Sequence, residues 1–553
     1  MTGYDQRPWL AAYPPGRGPH LRRAFATALD MFDAAVAACP DAVAIHYCDT
    51  SITWAEADHA ATVLASLLIA RGFAPGDRLG LCLQNNPAFY IGLIAAWRAG
   101  GVVAPISPMS TSDEFEQSVV DVTPTALLIL DDLYLDRARP VLARGGTSVR
   151  VVVTVSALDG QSQNDPRLFT GARRRRPGDT VDLTALIADA PAADVILHGS
   201  RAIGPSDVAV VASTSGTTGP PKGAQITHAN LAFNAQVYRD WTGIEPTEPI
   251  LALAPIFHVT GLVGAVATAM INRSPLVLTH RIHPTVIADA CRRWRPVFCV
   301  AVITAYIALA DDPDVDPADL ASLRLRYSGG APITPDVADR LNRRLGGYIR
   351  NIYGQTETTS PSHAIPPDRH APISADFDVV SIGVPVFDTV VRVVDEDGND
   401  LPVGEIGELL TMGPQVIPGY WNDPGATADA FSGGALRTGD VGFMDSDGWF
   451  YVIDRKKDII NAAGYKVWPS EVERCLQSHP GLAEAAVIGV PDGYRGETVK
   501  AFVVPEPDAT ISADEIIDFC RHRLAAYKYP HEVDIVPALP RSATGKILRR
   551  KLR

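Results

Sequence analysis

Ser213-Thr214-Ser215-Gly216-Thr217-Thr218-Gly219-Pro220-Pro221-Lys222-Gly223 is the stretch with the densest chemistry in the chain. It follows an apolar run of strand character, Val208-Ala209-Val210-Val211-Ala212. Five hydroxyls, three glycines and one lysine fall within these eleven residues. Glycine tolerates positive φ and has no Cβ, so backbone N–H groups can converge on an anion. The hydroxyls add donors, and Lys222 adds a positive charge. This composition suits phosphate. The spacing excludes a Walker A loop, because the order here is Gly216-x-x-Gly219-x-x-Lys222-Gly223. It also excludes a nucleophile elbow, because Ser213 rather than glycine stands two residues before Ser215. A lone Gly/Ser/Thr cluster is more often a polar turn, so the surrounding chain has to decide.

A chain of 553 residues is too long for one core, and two or more domains are expected. Hydrophobic residues at 46% with 20% charged residues indicate a globular protein rather than a disordered one. A net charge of −14 argues against nucleic-acid binding. The seven cysteines form no C-x-x-C pair, so they read as reduced thiols of a cytoplasmic protein, not as a disulfide frame or zinc site. No apolar core follows Met1-Thr2-Gly3-Tyr4-Asp5, and no signal peptide is expected. Residues 249–272 lack Asp, Glu, Lys and Arg and approach the ~20 residues that cross a bilayer. Pro255, His258 and Gly261 interrupt them, so a buried strand, a loop and a buried helix are expected, without stable membrane insertion.

Apolar residues recur at helical spacing over residues 27–71. Apolar runs at 78–83, 102–106, 126–130 and 150–155 then alternate with helical patterns, which predicts a parallel sheet with helices on both faces. Residues 156–206 look loop-rich, and the run Arg173-Arg174-Arg175-Arg176 within them reads as a solvated loop. A second α/β unit runs to about Ile352. Turn dipeptides such as Asp397-Gly398 and Asp447-Gly448 then punctuate short strands, which predicts a small antiparallel barrel or sheet. The last hundred or so residues read β-α-β-β-α, with helices at 470–478 and 513–524 and strands at 484–490 and 499–504. Ser470-x-x-Glu473 fits a capping box.

Seven further stretches carry chemistry. Tyr327-Ser328-Gly329-Gly330-Ala331-Pro332 offers bare backbone to a flat ligand. Tyr353-Gly354-Gln355-Thr356-Glu357 combines an aromatic for a base with a hydroxyl and one carboxylate for phosphate and Mg²⁺, although in isolation a core tyrosine and a helix cap are the favoured reading. Asp440, in Thr438-Gly439-Asp440, suits a ribose diol or an ordinary Asp turn. Asp454-Arg455-Lys456-Lys457-Asp458 alone reads as a solvated linker. Ala463-Gly464-Tyr465-Lys466-Val467-Trp468-Pro469-Ser470-Glu471 leads into a helix. Arg541-Ser542-Ala543-Thr544-Gly545-Lys546 opens a basic tail that could also be a nucleic-acid or membrane patch. His258, in Pro255-Ile256-Phe257-His258-Val259-Thr260-Gly261, sits where a core histidine is common.

Taken in order, these stretches resemble the signatures of the adenylate-forming superfamily, which includes acyl-CoA synthetases, peptide-synthetase adenylation domains and luciferases. The likeness spans residues 32–553. It implies an α/β fold. A large N-terminal AMP-binding domain, residues 1–455, would hold two αβαβα parallel-sheet subdomains and a small β-barrel at about 380–452. A small mobile α+β C-terminal lid domain would follow at 456–553.

The implied activity is ATP-dependent acyl-CoA ligation through an acyl-adenylate, with ATP/AMP, Mg²⁺ and coenzyme A as cofactors. The resemblance assigns Ser213, Thr214, Ser215, Gly216, Thr217, Thr218 and Lys222 to the β- and γ-phosphates. Gly329, Gly330 and Ala331 would line the adenine and the acyl group, with Tyr353, Gly354 and Thr356 beside the nucleotide. Glu357 would hold Mg²⁺, and Asp440 and Arg455 the ribose. Lys457 would be the hinge, Gly464 and Tyr465 the pantetheine tunnel, and Lys546 the catalytic lysine. His258 would gate the acyl pocket or meet pyrophosphate.

Two departures stand near that site: Ile303 where many relatives have Pro, and Ala435 where many have Trp. Trp9-Leu10-Ala11-Ala12-Tyr13-Pro14-Pro15-Gly16 and Lys466-Val467-Trp468-Pro469 look most like the medium- and long-chain fatty acyl-CoA ligase branch. A bulky biosynthetic carboxylic acid is an alternative substrate. The same site could also pass the adenylate to a carrier protein or an amine, or perform one half-reaction only. No carrier domain is expected after Arg553, so a carrier protein would act in trans. Homodimers occur in the family. A non-catalytic nucleotide-binding module is the rival of another class, and the presence of Lys546 and Glu357 argues against it.

Overall fold

Strands buried on both faces are apolar throughout, and the runs seen in the sequence become such strands. The computed structural model describes residues 3–190, 202–214, 221–331, 333–462, 465–492, 495–507, 509–541 and 546–553. One seven-stranded sheet is built around Arg78–Cys82, Val102–Pro105 and Ala126–Leu130, all paired in parallel. Val208–Ser213 extends it in parallel and then pairs antiparallel with Gly223–Thr227, Ser213 lying opposite Gly223. The phosphate-type stretch thus joins two antiparallel strands at one edge of this sheet. A nine-stranded sheet holds Phe298–Ala301, Leu325–Ser328 and Ile349–Gln355 as parallel neighbours.

Residues 27–71 are not helical throughout. Two helices, Ala28–Ala38 and Trp54–Ala70, start at separate capping boxes, Thr27 with Asp30 and Thr53 with Glu56. Between them Val43–Tyr47 and Thr50–Thr53 form an antiparallel pair. Val43–Tyr47 also pairs in parallel with Leu276–Leu278, a partner more than 200 residues away that no local pattern reveals. Residues 249–272 fold as the strand Ile250–Leu251 followed by the helical turns Val259–Gly261, Leu262–Ala267 and Thr268–Asn272. Among the described residues no helix is long and apolar enough to cross a membrane. Residues 156–206 contain the short helices Pro166–Phe169 and Leu183–Asp189. Among the described residues, three of the four arginines of the basic run pair within the chain: Arg174 with Asp159 at 2.7 Å, Arg175 with Asp136 at 3.6 Å and Arg176 with Asp182 at 3.3 Å.

A third sheet is antiparallel and includes Gly407–Met412, Ala435–Met444 and Phe450–Arg455. After the turn Lys456–Asp458 a separate five-stranded sheet begins at Ile460–Ala462. Helices Pro469–Gln477 and Ala513–Arg521 supply Val472, Leu476, Ile516 and Cys520 to its core. The expected Ser470–Glu473 capping box is absent. Pro469 occupies the first helical position behind the N-cap Trp468, the Ser470 N–H donates to Asp454 Oδ2 at 2.9 Å, and Glu473 is taken by Arg549 at 2.7 Å.

Candidate active site

The phosphate-type loop is closed at its base by two hydrogen bonds. The Thr214 N–H donates to the Lys222 carbonyl at 2.8 Å, and the Lys222 N–H donates to Thr214 Oγ1 at 2.9 Å. Ser213 ends the first strand, its hydroxyl turned to the Thr214 carbonyl at 3.4 Å. Ser215, Gly216, Thr217 and Thr218 lie outside the described residues. Thr214 and Lys222 line an open cleft of about 1010 Å³ that extends to the helix Pro469–Gln477 and the C-terminal tail.

Across this cleft, Ile349–Gln355 presents Tyr353 and Gln355, two residues apart and therefore on one side of the strand. Both donate to Asp440 Oδ2, Tyr353 through its hydroxyl at 2.6 Å and Gln355 through Nε2 at 2.8 Å. Asp440 and Arg455 are cross-strand partners, and Arg455 Nε lies 2.6 Å from Asp440 Oδ1. Both carboxylate oxygens are held, and the Asp440 charge raises the Arg455 pKa. Between Tyr353 and Gln355 only glycine fits, because a Cβ on Gly354 would stand 1.7 Å from the Ser360 carbonyl oxygen. Thr356 and Glu357 form the helical turn that follows. Glu357 Oε1 accepts from the Tyr420 hydroxyl at 2.7 Å.

Gly329 and Gly330 follow the strand Leu325–Ser328. Gly330 has φ +86°, and a Cβ there would lie 3.7 Å from Lys546 Cε. The positive φ, rather than a lack of space, favours glycine there. Ala331 lines the same cleft. Burial lowers the Lys546 pKa and the Arg455 charge lowers it further, against Asp440 and Glu357. The tail that carries Lys546 is tied down behind it: the Leu548 N–H donates to the Pro540 carbonyl at 2.8 Å, and Arg549 Nη2 donates to both Glu473 carboxylate oxygens, at 2.7 and 2.9 Å.

His258 sits at the start of the turn Val259–Gly261. Its Nε2 is buried without a hydrogen-bond partner among the described residues. Burial, then the Lys546 charge, pushes its pKa down to about 4, so the ring is neutral at pH 7. Lys457 lies in the turn between the third sheet and the C-terminal one, its pKa lowered to about 8 chiefly by desolvation. Tyr465 does not reach the cleft; it is 58% exposed and stacks on Tyr527 at 4.5 Å. Gly464 lies outside the described residues. Gln355 and Tyr420 were invisible to sequence reasoning, since a glutamine inside a motif and a tyrosine after a Pro-Gly turn carry no signal of their own.

Among the described residues no cluster of three or more His, Cys, Asp or Glu could cage a metal. A single carboxylate such as Glu357 instead fits Mg²⁺, which keeps phosphate and water oxygens as its other ligands.

Residues 32–421 match the AMP-binding enzyme family, and residues 471–546 match the AMP-binding enzyme C-terminal domain. The chain belongs to the AMP-binding enzyme family. This AMP-binding enzyme is 33% identical to a long-chain-fatty-acid–CoA ligase of Bacillus subtilis, over 99% of its own length and 98% of that protein's. It is 34% identical to a feruloyl-CoA synthase of an Amycolatopsis species, over 93% of its length and 96% of that protein's. Among solved structures, ATP-bound MatB from Rhodopseudomonas palustris superposes with a TM-score of 0.81 at 29% identity, covering 95% of this chain and 98% of MatB. The anthranilate CoA ligase AuaEII with anthranoyl-AMP gives 0.82 at 25% identity, covering 96% and 97%. The AMP-binding enzyme described here is an ATP-dependent acyl-CoA ligase, working through an acyl-adenylate.

Proposed function

We propose that the cleft, as seen, is arranged for the adenylation half-reaction on a medium- or long-chain fatty acid or a bulky aromatic acid. The observation that carries this reading is the position of Lys546, from the C-terminal tail, beside Gly330, where an added Cβ would lie 3.7 Å from the lysine Cε. That places its charge in the same cleft as Asp440 and Arg455. In this reading Asp440 accepts from the ribose hydroxyls, its carboxylate fixed by Tyr353, Gln355 and Arg455. Thr214, Lys222 and the loop between them bind the β- and γ-phosphates. Lys546 draws the substrate carboxylate and the α-phosphate together; one carboxylate oxygen attacks the α-phosphorus and pyrophosphate departs. Mg²⁺, held by Glu357, would neutralise charge on the phosphate oxygens. Neutral His258 closes the acyl side without adding charge.

The exposure of Tyr465 supports a second arrangement, reached when residues 456–553 rotate about Lys457 and bring Gly464 and Tyr465 to the cleft for CoA. The CoA thiolate then attacks the acyl carbonyl and AMP leaves. The choice of acid is supported by the fatty-acid and feruloyl ligases among the relatives. Seven free thiols suit a reducing, cytoplasmic setting.

A panel of carboxylic acids with ATP and CoA, read by mass for acyl-AMP and acyl-CoA, tests the reading. Fatty or aromatic acids should give both products. Acyl-AMP without acyl-CoA would move the acceptor to a carrier protein or an amine. Absence of carboxylate-dependent pyrophosphate exchange would overturn the adenylation reading.

A further inference from the structure

Tyr420 stands between two groups that the phosphate end of ATP needs. Its hydroxyl donates to Glu357 Oε1 at 2.7 Å, and Lys222 Nζ lies 4.9 Å from its ring centroid. One side chain therefore touches the last charged residue of the phosphate-type loop and the carboxylate assigned to Mg²⁺. The contact is built, not incidental. Tyr420 is only 7% exposed. The Gln225 N–H donates to the Gly419 carbonyl at 3.0 Å, and Gln225 Nε2 to the Tyr420 carbonyl at 3.0 Å. The Tyr420 N–H donates to Thr427 Oγ1 at 2.9 Å, and the Trp421 N–H to the Gly223 carbonyl at 2.7 Å. The Ile417 N–H donates to the Glu357 carbonyl at 3.0 Å, so the same segment pins the Glu357 turn as well. Only glycine can precede Tyr420, because a Cβ on Gly419 would meet Thr427 Cγ2 at 2.6 Å.

We infer that Tyr420 is a positioning residue for Mg·ATP: it orients the Glu357 carboxylate toward the metal and holds Lys222 beside the phosphates. This rests on the assignment of Glu357 to Mg²⁺. A carboxylate with one oxygen held by a donor presents the other in a fixed direction, which is how outer hydrogen bonds tune metal affinity. A phenol is protonated at neutral pH, so the Tyr420 hydroxyl is the donor to the carboxylate. The aromatic face restrains a cation that would otherwise sweep a wide volume.

The test is ATP binding by titration calorimetry on the full chain, without carboxylic acid, across a range of Mg²⁺ concentrations and in EDTA. Tyr420→Phe keeps the ring and removes the hydroxyl. It should raise the Mg²⁺ concentration at half effect about tenfold, while ATP affinity in EDTA, the melting temperature and the KM for CoA stay unchanged. Tyr420→Leu removes the ring too, and should also weaken ATP in EDTA by about threefold. Glu357→Gln is the reference arm. If Glu357→Gln displaces the Mg²⁺ curve and Tyr420→Phe does not, the Tyr420 role is overturned. If both variants superimpose on the parent, the Glu357 assignment falls and the Tyr420 role with it.

Discussion

Asp440 Oδ1 lies 2.6 Å from Arg455 Nε, and the two residues face each other across antiparallel strands of one sheet. The pair closes the third sheet where it meets the C-terminal unit. With Oδ2 held by Tyr353 and Gln355, Asp440 cannot turn without breaking three contacts. Asp440→Asn keeps the shape and removes the charge that Arg455 faces. Its ATP KM should rise at least about tenfold, with a loss of stability of about 1–2 kcal/mol. Steady-state kinetics and urea unfolding check this; an unchanged ATP KM would remove Asp440 from the nucleotide site.

Lys546→Ala separates the half-reactions. Carboxylate-dependent pyrophosphate exchange should fall about 10²–10³-fold, and CoA transfer from supplied acyl-adenylate should persist. The pH profile carries a further signature. Burial lowers the Lys546 pKa, so the charged form is lost at lower pH than for a free lysine. Exchange should therefore decline earlier on the alkaline side than a free lysine predicts, and Lys546→Ala should lack that decline.

How legible these features were in the sequence depended on whether the cause was local. The apolar runs within Arg78–Cys82 and Ala126–Leu130 showed because a strand buried on both faces is apolar along most of its length. Tyr353, Asp440 and Arg455 each read as ordinary in isolation and were marked only by the ordered resemblance, and the structure brings them together. The strand Val43–Tyr47 did not show, because its partner Leu276–Leu278 is remote and helix-like spacing flanks it. Tyr420 and Gln355 act through one hydroxyl and one amide, and no spacing rule marks such a group before its partner is in place. Ser470-x-x-Glu473 misled because capping is a local rule, while Glu473 had a stronger distant claim in Arg549.

Acid should destabilise the fold through its buried histidines. Burial lowers the pKa of His46, His228, His258 and His280 to about 4, and that of His363 to about 3. Below the ordinary histidine pKa of about 6.5 the unfolded chain binds protons that the fold refuses. Stability should then fall as pH drops from 6.5 toward 4, each such histidine adding up to about 1.4 kcal/mol per pH unit. Urea unfolding at stepped pH measures the slope. His228→Gln should flatten it; an identical slope would mean that His228 titrates normally in the fold.

The Arg549–Glu473 pair should govern how Lys546 is presented. Glu473 lies on Pro469–Gln477, Arg549 lies three residues beyond Lys546, and the contacts of Arg549 Nη2 with both Glu473 oxygens, at 2.7 and 2.9 Å, fasten the tail to that helix. Burial pulls the Glu473 pKa up while Arg549 pulls it down, with the balance upward. Arg549→Met leaves a buried carboxylate without its main partner, and should cost the C-terminal unit about 3 kcal/mol. Pyrophosphate exchange should fall although Lys546 itself is untouched. Glu473→Gln should lose less, because the amide oxygen still accepts from the guanidinium. Equal exchange in Arg549→Met and parent enzyme, with the stability loss present, would show that Lys546 reaches the cleft without this anchor.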